Sequence, residues 1–169
     1  SQDLGTGTYT ILTQIAADAL GVPPAQVLVR IGDTLYPESP MSGGSQTAAS
    51  AGSAVQKVVT VLRAELLRMA IGDPESPLSR VPAECVGIEE GRLFDSRVSG
   101  RGERLANLLA RQGRSQVEKR ADAAPASEAE RYAMYAFGAQ FAEVHVDADL
   151  GCLRVTRMTG VFDIGRALN

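Results

Sequence analysis

The chain has 169 residues, 44% of them hydrophobic and 22% charged, with a net charge of −3. That length suffices for one ordinary domain or two small ones, and the acidic balance excludes a general nucleic-acid or membrane-surface binder, which needs a basic face. No run approaches the ~20 apolar residues of a membrane span, and without Trp the core must come from Val, Leu, Ile and Ala.

Residues 8–20 predict a helix. Ile11, Ile15 and Ala19 recur at i+4, with Leu12, Ala16 and Leu20 beside them, making one apolar stripe. Thr8 is the candidate N-cap, Gly21 the C-terminal stop, and Pro23-Pro24 cannot continue the helix. Val27 to Gly32 alternates with the period of a strand. Residues 33–46 form a long loop with Pro37, Pro40 and the run Ser42-Gly43-Gly44-Ser45; loops of this length in a compact domain are often functional.

A second helix spans about 47–71, its buried face marked by Ala51, Val55, Val58, Val59, Leu62, Leu66 and Met69. Its first two turns are mostly Ala, Gly and Ser, which permits close backbone approach. Residues 84–95 read as a hairpin turning at Glu89-Glu90-Gly91, and 101–112 as a short helix through Leu105, Leu108 and Leu109. Residues 113–131 mix charge with Ala and Ser and read as a flexible connector. Residues 132–163 read as a long hairpin turning at Asp149-Leu150-Gly151. The element order does not alternate regularly. It predicts an α+β fold: a mixed sheet with two main helices packed on it and a long C-terminal β-hairpin.

Cys85 and Cys152 fit no metal-ligand spacing and are expected as buried or half-buried free thiols. His145 has too few partners for a zinc site and belongs on the solvent face of a strand. The start at Ser1 and the end at Asn169 are expected to be cut edges of a longer protein, and no targeting segment is visible.

Two loops could carry chemistry. Gly5-Thr6-Gly7-Thr8 runs into the first helix, and Gly43-Gly44-Ser45-Gln46-Thr47 into the second. Each would place backbone N–H groups at a helix start, where the dipole favours an anion, with hydroxyls as further donors. Each loop alone reads more readily as ordinary helix capping. Together they balance that reading against an anion cradle. Neither contains a P-loop or a dinucleotide fingerprint. A non-catalytic anion- or nucleotide-binding module, or an interaction module, is therefore the alternative reading.

Gln2-Asp3-Leu4-Gly5-Thr6-Gly7-Thr8-Tyr9-Thr10 and Gly43-Gly44-Ser45-Gln46-Thr47-Ala48-Ala49-Ser50 resemble the cofactor-holding segments of the aldehyde oxidase/xanthine dehydrogenase family. Ile31-Gly32-Asp33-Thr34 and the stretch from Phe137 to Arg166 are similar to the same family. The likeness covers about 1–70 and 132–169, and implies that residues 1–169 are part of a molybdopterin-binding large subunit. Such enzymes hydroxylate aldehydes or N-heterocycles with oxygen from water, and pass electrons through 2Fe–2S clusters to FAD on partner subunits or domains.

The resemblance further implies that Gly5, Thr6 and Gly7 contact the pterin and its phosphate. Thr47 and Ser50 would bond the cofactor, and Ala48 and Ala49 would lie beside the substrate. Thr6 stands where eukaryotic relatives have Gln. Gly52 takes the place of a second Ser, beside Ser53, and is kept among the cofactor-binding positions. The cofactor is molybdopterin, with the cytosine dinucleotide form favoured over the plain one. The implied location is cytoplasmic, with the periplasm as the alternative. The family's catalytic Glu belongs downstream of Asn169. Glu84, Glu89, Glu90 and Glu143 match no such motif, so the resemblance implies no activity for residues 1–169 alone.

Overall fold

A computed structural model describes residues 1–124, 128–133 and 135–165. They fall into two units, Ser1–Ala124 and Pro125–Leu168. The α+β class holds, and every described strand pairing is antiparallel.

The first unit is built on two helices, α1 (Thr8–Leu20) and α2 (Thr47–Gly72). They pack side by side. α1 buries Thr8, Leu12, Ile15 and Ala17; α2 buries Ala51, Gly52, Val59, Leu66, Met69 and Ala70. Arg63 on α2 donates from Nη1 to the Ala19 carbonyl at 2.9 Å, satisfying one of the last acceptors of α1. α1 ends where Gly21 turns left-handed, at φ 72°. The Gly21 N–H reaches the Ala17 carbonyl at 2.9 Å and the Val22 N–H reaches the same oxygen at 3.0 Å. That left-handed turn is what glycine permits.

Beyond α2 lies a small sheet of β1 (Val86–Glu89), β2 (Arg92–Asp95) and β3 (Gly102–Arg104), in that order. Glu90 and Gly91 both have positive φ, 48° and 72°, the geometry of the tight primed turn that suits antiparallel strands. A short helix, α3 (Leu105–Arg111), follows. The core joins Leu66, Met69 and Ala70 of α2 to Leu78 and Val81, to Val86, Ile88 and Leu93 of the sheet, and to Leu108 of α3. Residues 102–104, expected as helix, instead extend the sheet. Gly102 sits against the Leu93 carbonyl, so closely that a Cβ there would be 2.2 Å from it.

The alternating segment 27–32 forms no strand among the described residues. It has no ladder partner, turns left-handed at Gly32 (φ 83°), and leaves Leu28 75% exposed. Alternation reports an extended backbone, but only pairing makes a strand. Residues 114–124 carry no helix or strand and run along α2. Val117 packs on the core, and the Lys57 ammonium donates to the Asp122 carbonyl. The connector expected over 113–131 extends across 125–127, which lie outside the described residues, as does Arg166 of the family-like tail.

The second unit holds a one-turn helix, α4 (Glu128–Arg131), and a hairpin of β4 (Phe137–Asp147) and β5 (Cys152–Asp163). Its turn closes at Gly151, φ 62°, with the Asp147 carboxylate accepting the Asp149 and Leu150 N–H groups at 3.1 and 3.0 Å. Cys152 is exposed here rather than buried, and Cys85 is half-buried; both are free thiols. No helix of the described residues is long and apolar enough to cross a membrane.

Candidate functional site

The segment before α1 is organised by Asp3. One carboxylate oxygen accepts the N–H groups of Gly5 (2.9 Å) and Thr6 (3.0 Å); the other accepts that of Tyr9 (3.3 Å). Gly5 and Gly7 make this possible by turning left-handed, at φ 86° and 76°. Partial burial pushes the Asp3 carboxyl up, but the N–H groups of Tyr9, Gly5, Thr6 and Gly7 together hold it below the ordinary carboxylate value. Thr8 does not cap α1. It is the first helical residue, Gly7 is the N-cap, and Asp3 supplies the acceptor for Tyr9 from outside the helix. Several N–H groups expected to be open to an anion in this loop are therefore already satisfied.

The segment before α2 is different. Gly44 and Ser45 both have positive φ, 61° and 54°. For Ser45 that conformation is sterically costly and typical of a functional loop. No side chain caps α2, so the N–H groups of its first turn have no side-chain acceptor among the described residues. They carry the positive end of a 26-residue helix.

The two segments are tied together. The Gln2 N–H donates to Ser42 Oγ at 3.1 Å, and the Ser42 N–H donates to Gln2 Oε1 at 2.9 Å. The Ser42 hydroxyl donates to the Gln2 carbonyl. At the chain start, the Ser1 ammonium donates to Ser39 Oγ.

Between the tied segments lies a hollow of about 340 Å³. Thr6, Thr8, Ser42, Ser45 and Thr47 bring hydroxyls to its wall; Leu4, Ile11 and Leu12 bring apolar surface; Gly43 and Ala48 leave room. Thr8 is almost fully buried, with its Oγ1 3.3 Å from that of Thr6. No charged side chain lines this hollow among the described residues. A mostly apolar cavity with a few convergent polar groups is the usual form of a small-molecule site.

Of the sequence-predicted residues, Thr6, Thr47 and Ala48 line the hollow. Gly5 and Gly7 shape the loop around Asp3 without forming the wall. Ala49 is exposed, and Gly52 is buried in α2. The Ser50 hydroxyl donates to the Gln46 carbonyl within its own helix at 2.9 Å. Ser42, Ser45 and the apolar side chains Leu4, Ile11 and Leu12 were not singled out by sequence as site residues. The Ser-Gly-Gly-Ser run was a signal for the first two. Ile11, expected in the core stripe, lies at its edge and lines the hollow instead.

A larger concavity of about 900 Å³ lies over β2 and the loop to β3. Asp95 in its wall pairs with Arg97 at 3.1 Å and Arg101 at 3.5 Å, and Arg92 donates to the Gly100 carbonyl. It shares no residue with the smaller hollow, and size alone does not make it the better candidate. The glutamates near it have structural places: Glu89 ends β1 and Glu90 forms the turn. In the second unit, Glu143 accepts the Thr156 hydroxyl at 2.8 Å.

Residues 1–169 match the sequence model of the family described as "Molybdopterin cofactor-binding domain". The chain is 36% identical over 170 residues to the aldehyde oxidoreductase molybdenum-binding subunit of Escherichia coli (strain K12), covering 99% of this chain and 21% of that protein. It is 26% identical over 173 residues to a probable hypoxanthine oxidase of the same organism, covering 99% of this chain and 17% of the relative. Its fold is similar to part of the crystal structure of quinoline 2-oxidoreductase from Pseudomonas putida 86, with a TM-score of 0.69 at 23% identity over 99% of this chain and 21% of that one. The chain thus spans about a fifth of the length of the curated relatives it matches.

Proposed function

Because this chain belongs to the molybdopterin cofactor-binding domain family, we propose that the 340 Å³ hollow between the Gln2–Thr8 segment and the start of α2 holds part of a molybdenum–pterin cofactor. The observation that carries this reading is convergence. Segments about forty residues apart in sequence bring five hydroxyl side chains and an uncapped helix start to one hollow. The chemistry fits. Hydroxyls and first-turn N–H groups suit the amide and phosphate oxygens of a pterin phosphate, and the apolar wall suits a flat ring.

Thr6, Thr8, Ser42, Ser45 and Thr47 are the side-chain donors in this proposal, together with the N–H groups at the α2 start. Gly5 and Gly7 shape the first loop, and Asp3 holds it. Ala48, with Ala49 beside it, keeps the start of α2 small enough for a substrate to approach. Ser50 and Gly52 support the helix rather than touch the cofactor. When bound, the molybdenum centre supplies the oxygen-transfer and electron-accepting chemistry. What these residues do is bind, orient and exclude water.

The parent protein is, on this reading, a molybdenum-dependent oxidoreductase that hydroxylates aldehydes or N-heterocycles with water as the oxygen source. The rest of its large subunit completes the pocket, and 2Fe–2S and FAD subunits or domains carry electrons away. The cytosine dinucleotide form of the cofactor is favoured by the family-like Gln2-Asp3 and Gly43-Gly44-Ser45 runs. The cytoplasm is the proposed location. Residues 1–169 alone should not turn over, because no glutamate among the described residues lies at the hollow to serve as a general base.

Expression of the parent under conditions that load related enzymes, followed by molybdenum analysis and aldehyde-dependent dye reduction, tests the proposal. Bound molybdenum and turnover are expected. A metal-free, inactive parent would sink it. Tight binding of a free nucleotide to the isolated chain by calorimetry would instead favour a simple anion-binding module, which the uncapped start of α2 could also serve.

A further inference from the structure

We infer that one face of the β4–β5 hairpin is an internal docking surface, covered in the parent subunit by an apolar layer from outside residues 1–169. The inference rests on the proposed membership in a larger subunit, but not on the cofactor assignment.

The register sorts the hairpin side chains onto two faces. Gly138, Gln140, Ala142, Val144 and Val146 of β4 stand opposite Phe162, Gly160, Met158, Val155 and Leu153 of β5. That face carries no charge. The other face pairs Glu143 with Arg157 and His145 with Arg154 and holds Asp147 and Asp163; it also carries Phe137, Phe141 and Val161 at the end away from the turn, so only the first face is free of charge along its whole length.

A bulge makes this sorting possible. Arg157 pairs with Glu143 and Val155 with Val144, which leaves Thr156 as the extra residue. Its hydroxyl is held by the Glu143 carbonyl at 3.2 Å and carboxylate at 2.8 Å. Without that extra residue the alternation would put Val155 and Leu153 on the face opposite Met158 and Phe162. With it, four of the five large apolar side chains of β5, Leu153, Val155, Met158 and Phe162, share one surface, and Val161 stands on the other. The Phe162 ring completes that surface by lying over both Gly138 and Gly160, where an added Cβ would come within 2.6 and 2.7 Å of it.

A surface sorted this carefully is nonetheless open to solvent. Met158 is 71% exposed, Val146 65%, Leu153 63% and Phe162 61%. An isolated two-stranded hairpin is at best marginally stable in water, so a covering layer is needed.

The area argues for which layer. Eleven-residue strands give a patch about 37 Å long and two strands, or about 10 Å, wide. Two copies meeting face to face would together cover roughly 700 Å², below the ~1,000 Å² a specific interface between separate molecules needs. A layer from the same polypeptide needs no such area, because the linkage holds it at high effective concentration. The curated relatives are about five times longer than this chain, so they have the polypeptide to supply it.

Met158 is a native probe, because peroxide oxidation of methionine follows exposure. Sulfoxide formation at Met158 is followed by mass spectrometry in the purified parent subunit, native and urea-unfolded, and in the isolated 169-residue chain. The expected result is that Met158 reacts at least about 10-fold more slowly in the native parent than in the unfolded one, with no such protection in the isolated chain. Any of four results would overturn the inference. They are oxidation in the native parent as fast as when unfolded, equal protection in the isolated monomeric chain, protection lost on dilution, and protection only when other subunits are present. None depends on molybdenum content, so a failed cofactor assignment would leave this test readable.

Discussion

Gln2 and Ser42 hold one another by three hydrogen bonds, backbone N–H to side chain in both directions and hydroxyl to carbonyl. This pairing joins the segment before α1 to the segment before α2, and so fixes the width of the hollow between them. Ser42→Ala removes two of the three contacts. At an exposed position each is worth about 0.5–1 kcal/mol. The fold should survive, because the core formed by α2, the sheet and α3 is untouched. Molybdenum occupancy of the parent should fall about 3- to 10-fold under limiting cofactor, in keeping with a loss of ~1 kcal/mol. Metal analysis of the purified variant checks this, and full occupancy would show that the tie does not shape the site.

Asp3 gives the first loop a pH dependence. Its carboxyl lies below its ordinary value in the folded chain. A group whose pKa is depressed by folding contributes stability above its unfolded pKa and loses it as pH falls through the folded one. The Gly5, Thr6 and Tyr9 amides should therefore stay protected from hydrogen exchange through neutral and mildly acidic pH. They should open below the usual carboxylate range, under about pH 4. Asp3→Ala should expose them at every pH. NMR exchange rates across an acid series decide the matter; amides indifferent to both changes would contradict the assignment.

Gly21 meets two demands at once. It turns left-handed to end α1, and a Cβ there would lie 2.2 Å from the Ile88 carbonyl oxygen in β1. Gly21→Ala should cost about 1 kcal/mol for the backbone conformation, and more for displacing β1, for a total near 2–3 kcal/mol. Urea unfolding of residues 1–169 measures it. A loss under about 0.5 kcal/mol, the scale of an ordinary surface change, would mean that the contact with Ile88 yields easily.

How much of this was legible in sequence differs by element. α1 and α2 were readable because their apolar residues recur at helical spacing and Gly21 stops the first. The turn at Glu90-Gly91 and the long hairpin were readable because strand patterns flank turn residues. Residues 27–32 alternate like a strand yet pair with nothing described, since pairing is a property of the partner and not of the segment. Thr6, Thr47 and Ala48 could be named from loop position and family likeness. That Asp3 would occupy the amides of the first loop could not, because it depends on left-handed turns at Gly5 and Gly7 that the sequence permits but does not announce. Leu4, Ile11 and Leu12 were invisible as site residues because an apolar wall and an apolar core use the same side chains.

Glu103 and Arg111 supply the last prediction. Glu103 is buried on β3, and its carboxylate takes both guanidinium arms of Arg111 at 2.8 and 2.9 Å as well as the Ser76 hydroxyl. Arg111 also reaches Asp73 at 2.6 Å. These hydrogen bonds hold the guanidinium charged well beyond any accessible pH, and hold the Asp73 carboxyl below its ordinary value. The cluster pins the end of α3 and the end of α2 to the sheet. Arg111→Ala leaves a buried carboxylate with only a serine for company, and should destabilise by about 3 kcal/mol. Adding Glu103→Gln removes the stranded charge and should recover about half of that loss, which a double-mutant cycle in urea measures. Additive losses would mean that the two side chains act independently. The cluster lies apart from the hollow, so if the proposed cofactor site is right, parent protein that still folds with Arg111→Ala should keep its molybdenum while losing thermal stability.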